Sequence, residues 1–128
     1  MKLLLDTHTF LWLVEGNPKL TSAANTALAD SQNELFLSIA SIWELAIKVN
    51  TGKLALSATL DIYVDQWMQT YLIQELAVSK LHAVATTKLP QLHRDPFDRM
   101  LIAQSISEQM TLVSGDSQIA AYQVNVIW

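Results

Sequence analysis

With 128 residues, the chain has the common size of one domain, and its 51% of apolar residues can fill a core of that size. The net charge of -4 excludes a protein that holds polyphosphate chains by bulk positive charge, and the absence of cysteine excludes disulfides and thiolate metal sites. We therefore treat residues 1–128 as a single domain. Because only 16% of the residues are charged, we expect exposed apolar area that a second copy or another protein covers.

The predicted elements alternate between short apolar strands and helices. Strands are predicted at residues 2–5, 35–37, 111–114 and 124–127, with a further short strand near 75–78. The first helix is predicted to begin at residue 7 and to include residues 10–14. Further helices are predicted at 21–30, 41–50, 57–71, 79–87 and 96–109. This alternation predicts a central parallel sheet covered on both faces, which is a three-layer α/β/α sandwich.

No stretch reaches the ~18 uninterrupted apolar residues of a membrane span. The apolar run at residues 3–5 resembles the start of a signal peptide, but Asp6 interrupts it too early. We expect a soluble cytoplasmic protein.

Four acidic residues are predicted at one edge of the sheet. Asp6 follows the first strand, Glu44 lies in the helix after the second, Asp98 begins a late helix, and Asp116 follows the strand at 111–114. The carboxyl ends of parallel strands meet at one edge, where loops and helix N-termini form a crevice. The sequence therefore predicts a cluster of carboxylates.

Each of these acids also has a purely structural interpretation. Asp6 can cap the following helix, and Ser41 with Glu44 forms a capping-box pattern. Asp98 complements the helix dipole, and Asp116 after a glycine suits a turn. Only their convergence indicates a site.

Carboxylates within a few ångströms repel one another unless a cation lies among them or some are protonated. Hard oxygen ligands suit Mg²⁺ or Mn²⁺, and the absence of Cys and of any His-x-x-x-His pair argues against zinc. Such a cation can lower the pKa of a bound water and orient it for attack on a phosphodiester. The sequence therefore favours metal-dependent phosphodiester chemistry.

Five motifs together resemble the PIN domain family, and in particular the VapC-type toxins of toxin–antitoxin pairs. The motifs are LDTH at residues 5–8, SIWE at 41–44, GKL at 52–54, HRDPFDRMLIAQ at 93–104 and LVSGD at 112–116. Their order and spacing match the family over nearly the whole chain, and the 93–104 block is the most specific.

This resemblance implies a PIN-like, flavodoxin-like sandwich and a Mg²⁺- or Mn²⁺-dependent endoribonuclease. It further implies the toxin of a type II toxin–antitoxin system, often a homodimer, that cleaves RNA and is inhibited by a small antitoxin. The acidic residues of the family correspond here to Asp6, Glu44, Asp98 and Asp116 as catalytic and metal-binding residues. Where the family commonly has Thr before the last acid, this chain has Ser114, which keeps the hydroxyl.

Further residues are candidates for supporting roles. Thr7 and Asp95 are additional site candidates, with helix capping the preferred role of Asp95. Arg94, Arg99 and Lys48 are candidates for substrate binding, with ion pairs to the acids as the alternative, which is favoured for Lys48. His8 and His93 could donate to a phosphate or contact a base edge, but we favour satisfied histidines at a loop or helix start, and we interpret His82 as structural. The rings of Trp12, Trp43 and Trp67 could stack on unpaired bases, but we favour core or interface positions for them.

Three other functions compete with a ribonuclease. A phosphoacceptor receiver domain requires two adjacent acids after the first strand, where only Asp6 is present. A haloacid-dehalogenase-type phosphatase requires Asp-x-Asp there, but His8 occupies the second position. A catalytically idle binding protein with the same fold is the third, and acids at all four positions argue against it.

Overall fold

A computed structural model describes all residues, 1–128. The strands are β1 (Lys2–Leu5), β2 (Glu34–Ser38), β3 (Ile73–Leu76), β4 (Thr111–Val113) and β5 (Val126–Ile127). The helices are α1 (Thr7–Glu15), α2 (Ser22–Ala29), α3 (Ile39–Asn50), α4 (Leu60–Thr70), α5 (Lys80–Ala85) and α6 (Pro96–Ser107). Two short 3-10 turns lie at Thr86–Lys88 and Ile119–Ala121. No helix has the length and apolar character needed to cross a lipid bilayer.

The five strands form one parallel sheet in the order β3-β2-β1-β4-β5. The chain first proceeds outward from β1 to β3, and it then returns to place β4 on the other side of β1. The strand order therefore reverses between β1 and β4. In open parallel sheets, the crevice at such a reversal is the usual place of a functional site.

Alternate residues of β1 enter the cores on the two faces of the sheet. Leu3 and Leu5 pack with residues of α1 to α4, whereas Leu4 packs with residues of α6. All three leucines are fully buried, and burying each contributes about 2 kcal/mol relative to an exposed side chain. The predicted α/β/α sandwich with a parallel sheet is therefore confirmed.

The start of α3 differs from the prediction. Strand β2 extends to Ser38, whose hydroxyl accepts a hydrogen bond from the amide of Ala40 at 3.0 Å and caps the helix. Ser41 is instead buried inside the helix, and its hydroxyl has no hydrogen-bond partner. The predicted capping box between Ser41 and Glu44 is therefore wrong, and Glu44 is free for another role.

The position of β3 also differs. The strand was expected near residues 75–78, but it begins at Ile73, directly after Leu72 with its positive φ of 55°. Ile73 is buried and pairs in register with Leu35, whereas Val78 is 38% exposed. Burial of Ile73 against the neighbouring strand therefore sets the register. The other predicted element ends differ by a few residues, as helix ends commonly do.

Candidate active site

A cavity of about 360 Å³ opens at the carboxyl edge of the sheet, next to the ends of β1 and β4. All four predicted acids line it, although they come from distant parts of the chain: Asp6, Glu44, Asp98 and Asp116. The other lining residues are Thr7, His8, Trp12, His93, Asp95 and Gly115. The structure thus brings the predicted carboxylates together and adds two histidines to them.

Asp6 is both a helix cap and a wall of the cavity. Its Oδ1 accepts a hydrogen bond from the amide of Thr9 at 2.7 Å, and its own amide donates to the carbonyl of Val113 at 3.2 Å. The hydroxyl of Thr9 donates to the same carbonyl at 2.8 Å. These bonds fix the carboxylate where β1 meets β4 and leave Oδ2 without a hydrogen bond. The capping role of Asp6 is therefore compatible with binding a cation.

Glu44 is held by neighbours on both sides of its carboxylate. The hydroxyl of Thr7 donates to Oε1 at 2.6 Å, and the ammonium of Lys48 lies 3.4 Å from Oε2. The contact with Thr7 joins the start of α1 to α3 across the cavity. The favoured ion pair of Lys48 is therefore present, and Thr7 positions a carboxylate.

His93 lies between two acids of the cavity, which the sequence analysis did not anticipate. Its Nε2 is 2.9 Å from an oxygen of Asp98 and 2.9 Å from an oxygen of Asp116. Its Nδ1 accepts a hydrogen bond from the amide of Asp95 at 3.2 Å, and its own amide donates to the hydroxyl of Tyr122 at 2.8 Å. In the neutral ring, the proton is therefore on Nε2, which donates its hydrogen bond to Asp116, while Asp98 lies at ion-pair distance from the same nitrogen.

Burial and neighbouring charges shift the pKa values in this part of the cavity. Burial, together with the charge of Asp95, raises the pKa of Asp98 to about 7. Burial alone would lower the pKa of His93, but its hydrogen bond to Asp116 and the charge of Asp98 raise it. Burial would raise the pKa of Asp116, but the hydrogen bond from His93 and the amide of Gln118 hold it below its usual value. Without a cation, the cluster therefore carries more negative charge than its surroundings favour.

The donor set fits a divalent cation. The nearest side-chain atoms of His93, Asp98 and Asp116 lie within 4.8 Å of one another, so Asp98 and Asp116 are close enough to share one ion. Asp6 and Glu44 line the same cavity but lie outside this close group. Carboxylate oxygens are the ligands that Mg²⁺ and Mn²⁺ prefer. The proton on Nε2 argues that His93 orients the carboxylates rather than binding the ion itself.

Asp95 and Ser114 hold the backbone around the acids. The amides of Phe97 and Asp98 donate to Oδ1 of Asp95 at 2.8 and 3.3 Å, so Asp95 caps α6 as expected. The hydroxyl of Ser114 accepts a hydrogen bond from the amide of Asp116 at 3.1 Å. Asp95 also lines the cavity, whereas Ser114 is buried behind it.

The two arginines near the motif have different surroundings. Arg99 donates to the carbonyl oxygens of Pro90 and Thr86 at 2.8 and 2.9 Å and to the hydroxyl of Tyr122 at 3.3 Å. The predicted ion pair of Arg99 with the acids is absent, because its donors tie down the segment before α6. Its predicted substrate contact remains a prediction, which this arrangement disfavours. Arg94 is exposed beside the cavity and has no ion pair.

Of the remaining histidines and tryptophans, some are structural and others face the cavity or solvent. His82 is buried and bonds to Ser79 and Glu108, which agrees with its predicted structural role. Trp12 lines the acidic cavity, with the ring of the exposed His8 centred 5.6 Å away. Trp67 packs against the core, whereas Trp43 is 63% exposed and touches Phe97 edge-on.

Comparisons with known proteins identify the family and the fold. The family model described as PIN domain matches residues 3–125. Among solved structures, VapBC2 from Rickettsia felis bound to a promoter DNA fragment superposes with a TM-score of 0.75 at 16% identity, covering 98% of this chain and 97% of that one. DNA-bound VapBC from Salmonella typhimurium gives a TM-score of 0.68 at 16% identity, covering 98% and 96%.

A toxin-antitoxin complex from Klebsiella pneumoniae gives a TM-score of 0.66 at 17% identity, with coverage of 98% and 96%. No protein of curated function matched the sequence. These structural similarities establish the fold, and the family match spans nearly the whole sequence. The chain belongs to the PIN domain family.

Proposed function

We propose that the chain is a metal-dependent endoribonuclease that hydrolyses phosphodiester bonds in RNA. The observation that carries this proposal is the convergence of Asp6, Glu44, Asp98 and Asp116 on one cavity at the carboxyl edge of the sheet. Membership of the PIN domain family supports nuclease chemistry, and it argues against a receiver domain or a phosphatase.

The four acids would hold Mg²⁺ or Mn²⁺. A divalent cation held there would supply a bound water of lowered pKa and would neutralise charge that develops on the phosphate oxygens. The residues of the chain hold the carboxylates ready: Thr7 and Lys48 fix both oxygens of Glu44, and the cap fixes Asp6. Nε2 of His93 donates to Asp116 and lies 2.9 Å from Asp98, which holds the two carboxylates side by side.

The decisive experiment compares metal-dependent RNA cleavage by the wild type and Asp6→Asn, each purified without partner proteins. We expect the wild type to cleave total RNA with Mn²⁺ and to be inactive with EDTA. Asn can still cap α1, so Asp6→Asn should fold normally but lose cleavage. A wild type without Mn²⁺-dependent cleavage would instead support a catalytically idle binding protein.

We further propose that the chain is the cytoplasmic toxin component of a type II toxin–antitoxin system. The similar solved structures include a toxin-antitoxin complex, which supports this assignment. An apolar groove of about 590 Å³ offers a surface for a protein partner, and its walls include Ile39, Trp43, Ile47, Val78 and Phe97. The acidic cavity and this groove share α3 as a wall, because Glu44 and Trp43 are neighbours.

The partner is tested by co-expression with the product of the neighbouring small gene. We expect a stable complex in which cleavage is inhibited, and Trp43→Ser should weaken it because the exposed indole is lost. Light scattering of the chain alone would show whether it forms the proposed homodimer. A mixture without complex formation or inhibition would contradict the assignment as a toxin.

A further inference from the structure

A second groove of about 410 Å³ lies beside the acidic cavity and shares two of its walls, Glu44 and Asp95. Three cationic residues also line it, namely Lys48, Lys53 and Arg94. We call this space the cationic groove. Because the two spaces meet at shared residues, a polymer bound in the cavity can continue into the groove.

The cations of the groove are concentrated in an otherwise acidic protein. The chain has only eight Lys and Arg residues and a net charge of -4. Lys48 is paired with Glu44, but Lys53 and Arg94 are exposed and have no acidic group within 4.0 Å. These two side chains are therefore available for an anionic ligand beside a cavity of opposite charge.

The fold fixes the backbone at Lys53. Gly52 adopts a φ of +74° at the end of α3, and this lets the chain turn back on the helix. The amide of Lys53 then donates to the carbonyl of Lys48 at 2.9 Å, and the amide of Leu54 donates to the same carbonyl at 3.1 Å. The groove therefore has a cation on a fixed turn rather than on a loose loop.

The backbone at Arg94 is fixed from both sides. The amide of His93 donates to the hydroxyl of Tyr122, and the amide of Asp95 donates to Nδ1 of His93. Because His93 also contacts the acids of the cavity, the position of Arg94 is tied to the site itself.

We propose that Lys53 and Arg94 bind the backbone phosphate of a nucleotide next to the cleaved bond of an RNA strand. This inference rests on the proposed ribonuclease function. An acidic cavity repels the RNA backbone, and a flanking pair of cations holds the strand in place without reading its bases. The cationic groove therefore sets the path of the strand out of the cavity.

The binding test uses a fluorescent single-stranded oligoribonucleotide in EDTA, where no cleavage takes place. We expect Lys53→Ala and Arg94→Ala each to weaken binding by about threefold to tenfold at 0.1 M salt. The double variant should also reduce the slope of log affinity against log salt, by about 0.7 for each lost phosphate contact.

Lys2→Glu is the matched control, because it changes the net charge by the same -2 as the double variant. Lys2 is exposed at the amino end of β1, on the edge of the sheet opposite the cavity. We expect this control to bind RNA like the wild type. Equal weakening by the control and the double variant would overturn the proposal, because the effect would then be one of overall charge.

A cleavage series separates the groove from the chemistry. Oligoribonucleotides are extended one nucleotide at a time on either side of the cleaved bond. In the wild type, extension on one side should lower KM, and the Lys53→Ala and Arg94→Ala double variant should lose this decrease in KM. The single variant Lys53→Arg should keep the decrease, because the positive charge is retained.

The experiments give different results if the proposal for the cationic groove is wrong and if the proposed ribonuclease function is wrong. If the wild type cleaves RNA and both alanine variants match it in RNA affinity and KM, the proposal for the cationic groove is overturned while the ribonuclease function stands. RNA binding that needs Lys53 and Arg94, in a protein without cleavage, would support the groove and contradict the ribonuclease. Unchanged RNA affinity with loss of antitoxin binding would assign the groove to an acidic protein segment and overturn the proposal.

Discussion

At the scale of single residues, the carboxylate of Glu44 allows its structural and chemical roles to be separated. We expect Glu44→Gln to retain the fold, because the amide oxygen can still accept the hydrogen bond from Thr7. The variant loses the charge that faces Lys48 and the cavity. Metal-dependent cleavage should therefore fall by about 100-fold, since a neutral amide is a much weaker ligand.

Cleavage rates at one limiting Mn²⁺ concentration, together with circular dichroism, measure both effects. Glu34→Gln is the matched control, because Glu34 is exposed at the amino end of β2, far from the cavity. Full activity of Glu44→Gln would remove Glu44 from the set of proposed metal ligands.

Asp98 gives a prediction for the metal-free protein. Its pKa is raised to about 7, chiefly by burial, whereas an unfolded chain has an ordinary aspartate of 3.8. As pH rises from about 4 to 7, the unfolded state therefore loses a proton that the folded state keeps, and the fold loses stability. We expect Asp98→Asn to raise the free energy of unfolding by about 1–2 kcal/mol at pH 8, allowing for partial solvent screening, and to change it little at pH 4.

Urea unfolding in EDTA at several pH values tests this. The raised pKa of His93 acts in the same direction, because its stabilising proton is also lost as pH rises through that pKa. The comparison therefore belongs at a pH above the pKa of His93. An Asp98→Asn variant that is no more stable than wild type at pH 8 would show that the acids do not strain the metal-free fold.

At the scale of elements, local patterns predicted which segments form but not where their side chains point. The apolar runs and caps predicted the strands, the helices and the parallel sheet. The capping box was wrong because Ser38 and Ser41 are both plausible caps, and only the extension of β2 decides between them. This three-residue shift of the cap, from Ser41 to Ser38, left Glu44 free to bond to Thr7, a residue 37 positions away.

His93 shows the limit of sequence analysis for the site. It belongs to the same motif as Asp98, so its presence nearby could be anticipated. Its contact with Asp116, however, depends on β4 pairing with β1 and on the hydroxyl of Tyr122 holding the His93 backbone. Such contacts arise from tertiary packing, and no local pattern in one sequence carries them.

The turn after β4 gives a prediction for this element. A Cβ on Gly115 would lie 2.6 Å from the ring of Trp128, which is closer than the two atoms can pack. We expect Gly115→Ala to displace the indole and to cost about 1–3 kcal/mol of stability. Because Asp116 follows directly, cleavage should fall as well. Thermal unfolding and tryptophan fluorescence measure the change.

A double-mutant cycle with Trp128→Leu identifies the cause of that loss. With the smaller side chain at 128, Gly115→Ala should cost much less, so the two changes should not add. Additive costs would mean that contact with Trp128 is not the reason glycine is needed at position 115.

At the scale of the whole molecule, the acidic cavity joins parts of the chain that have little else in common. Asp6 follows β1, Glu44 lies on α3, Asp98 on α6 and Asp116 after β4. These elements contribute residues to both hydrophobic cores, and they lie on both sides of the point where the strand order reverses. A cation held by all four would therefore act as a crosslink through the fold, and its binding should stabilise the molecule as a unit.

We expect Mn²⁺ to raise the free energy of unfolding of the wild type, by about 2.7 kcal/mol when its concentration is 100 times the dissociation constant. Asp6→Asn and Glu44→Gln should each lose most of this gain, although their acids lie on different elements, whereas Glu34→Gln should keep it. Thermal unfolding across a Mn²⁺ titration measures the gain without any RNA and is therefore independent of cleavage. If Asp6→Asn lost the gain while Glu44→Gln kept it in full, the cation would be held without Glu44, and the crosslink through α3 would not exist.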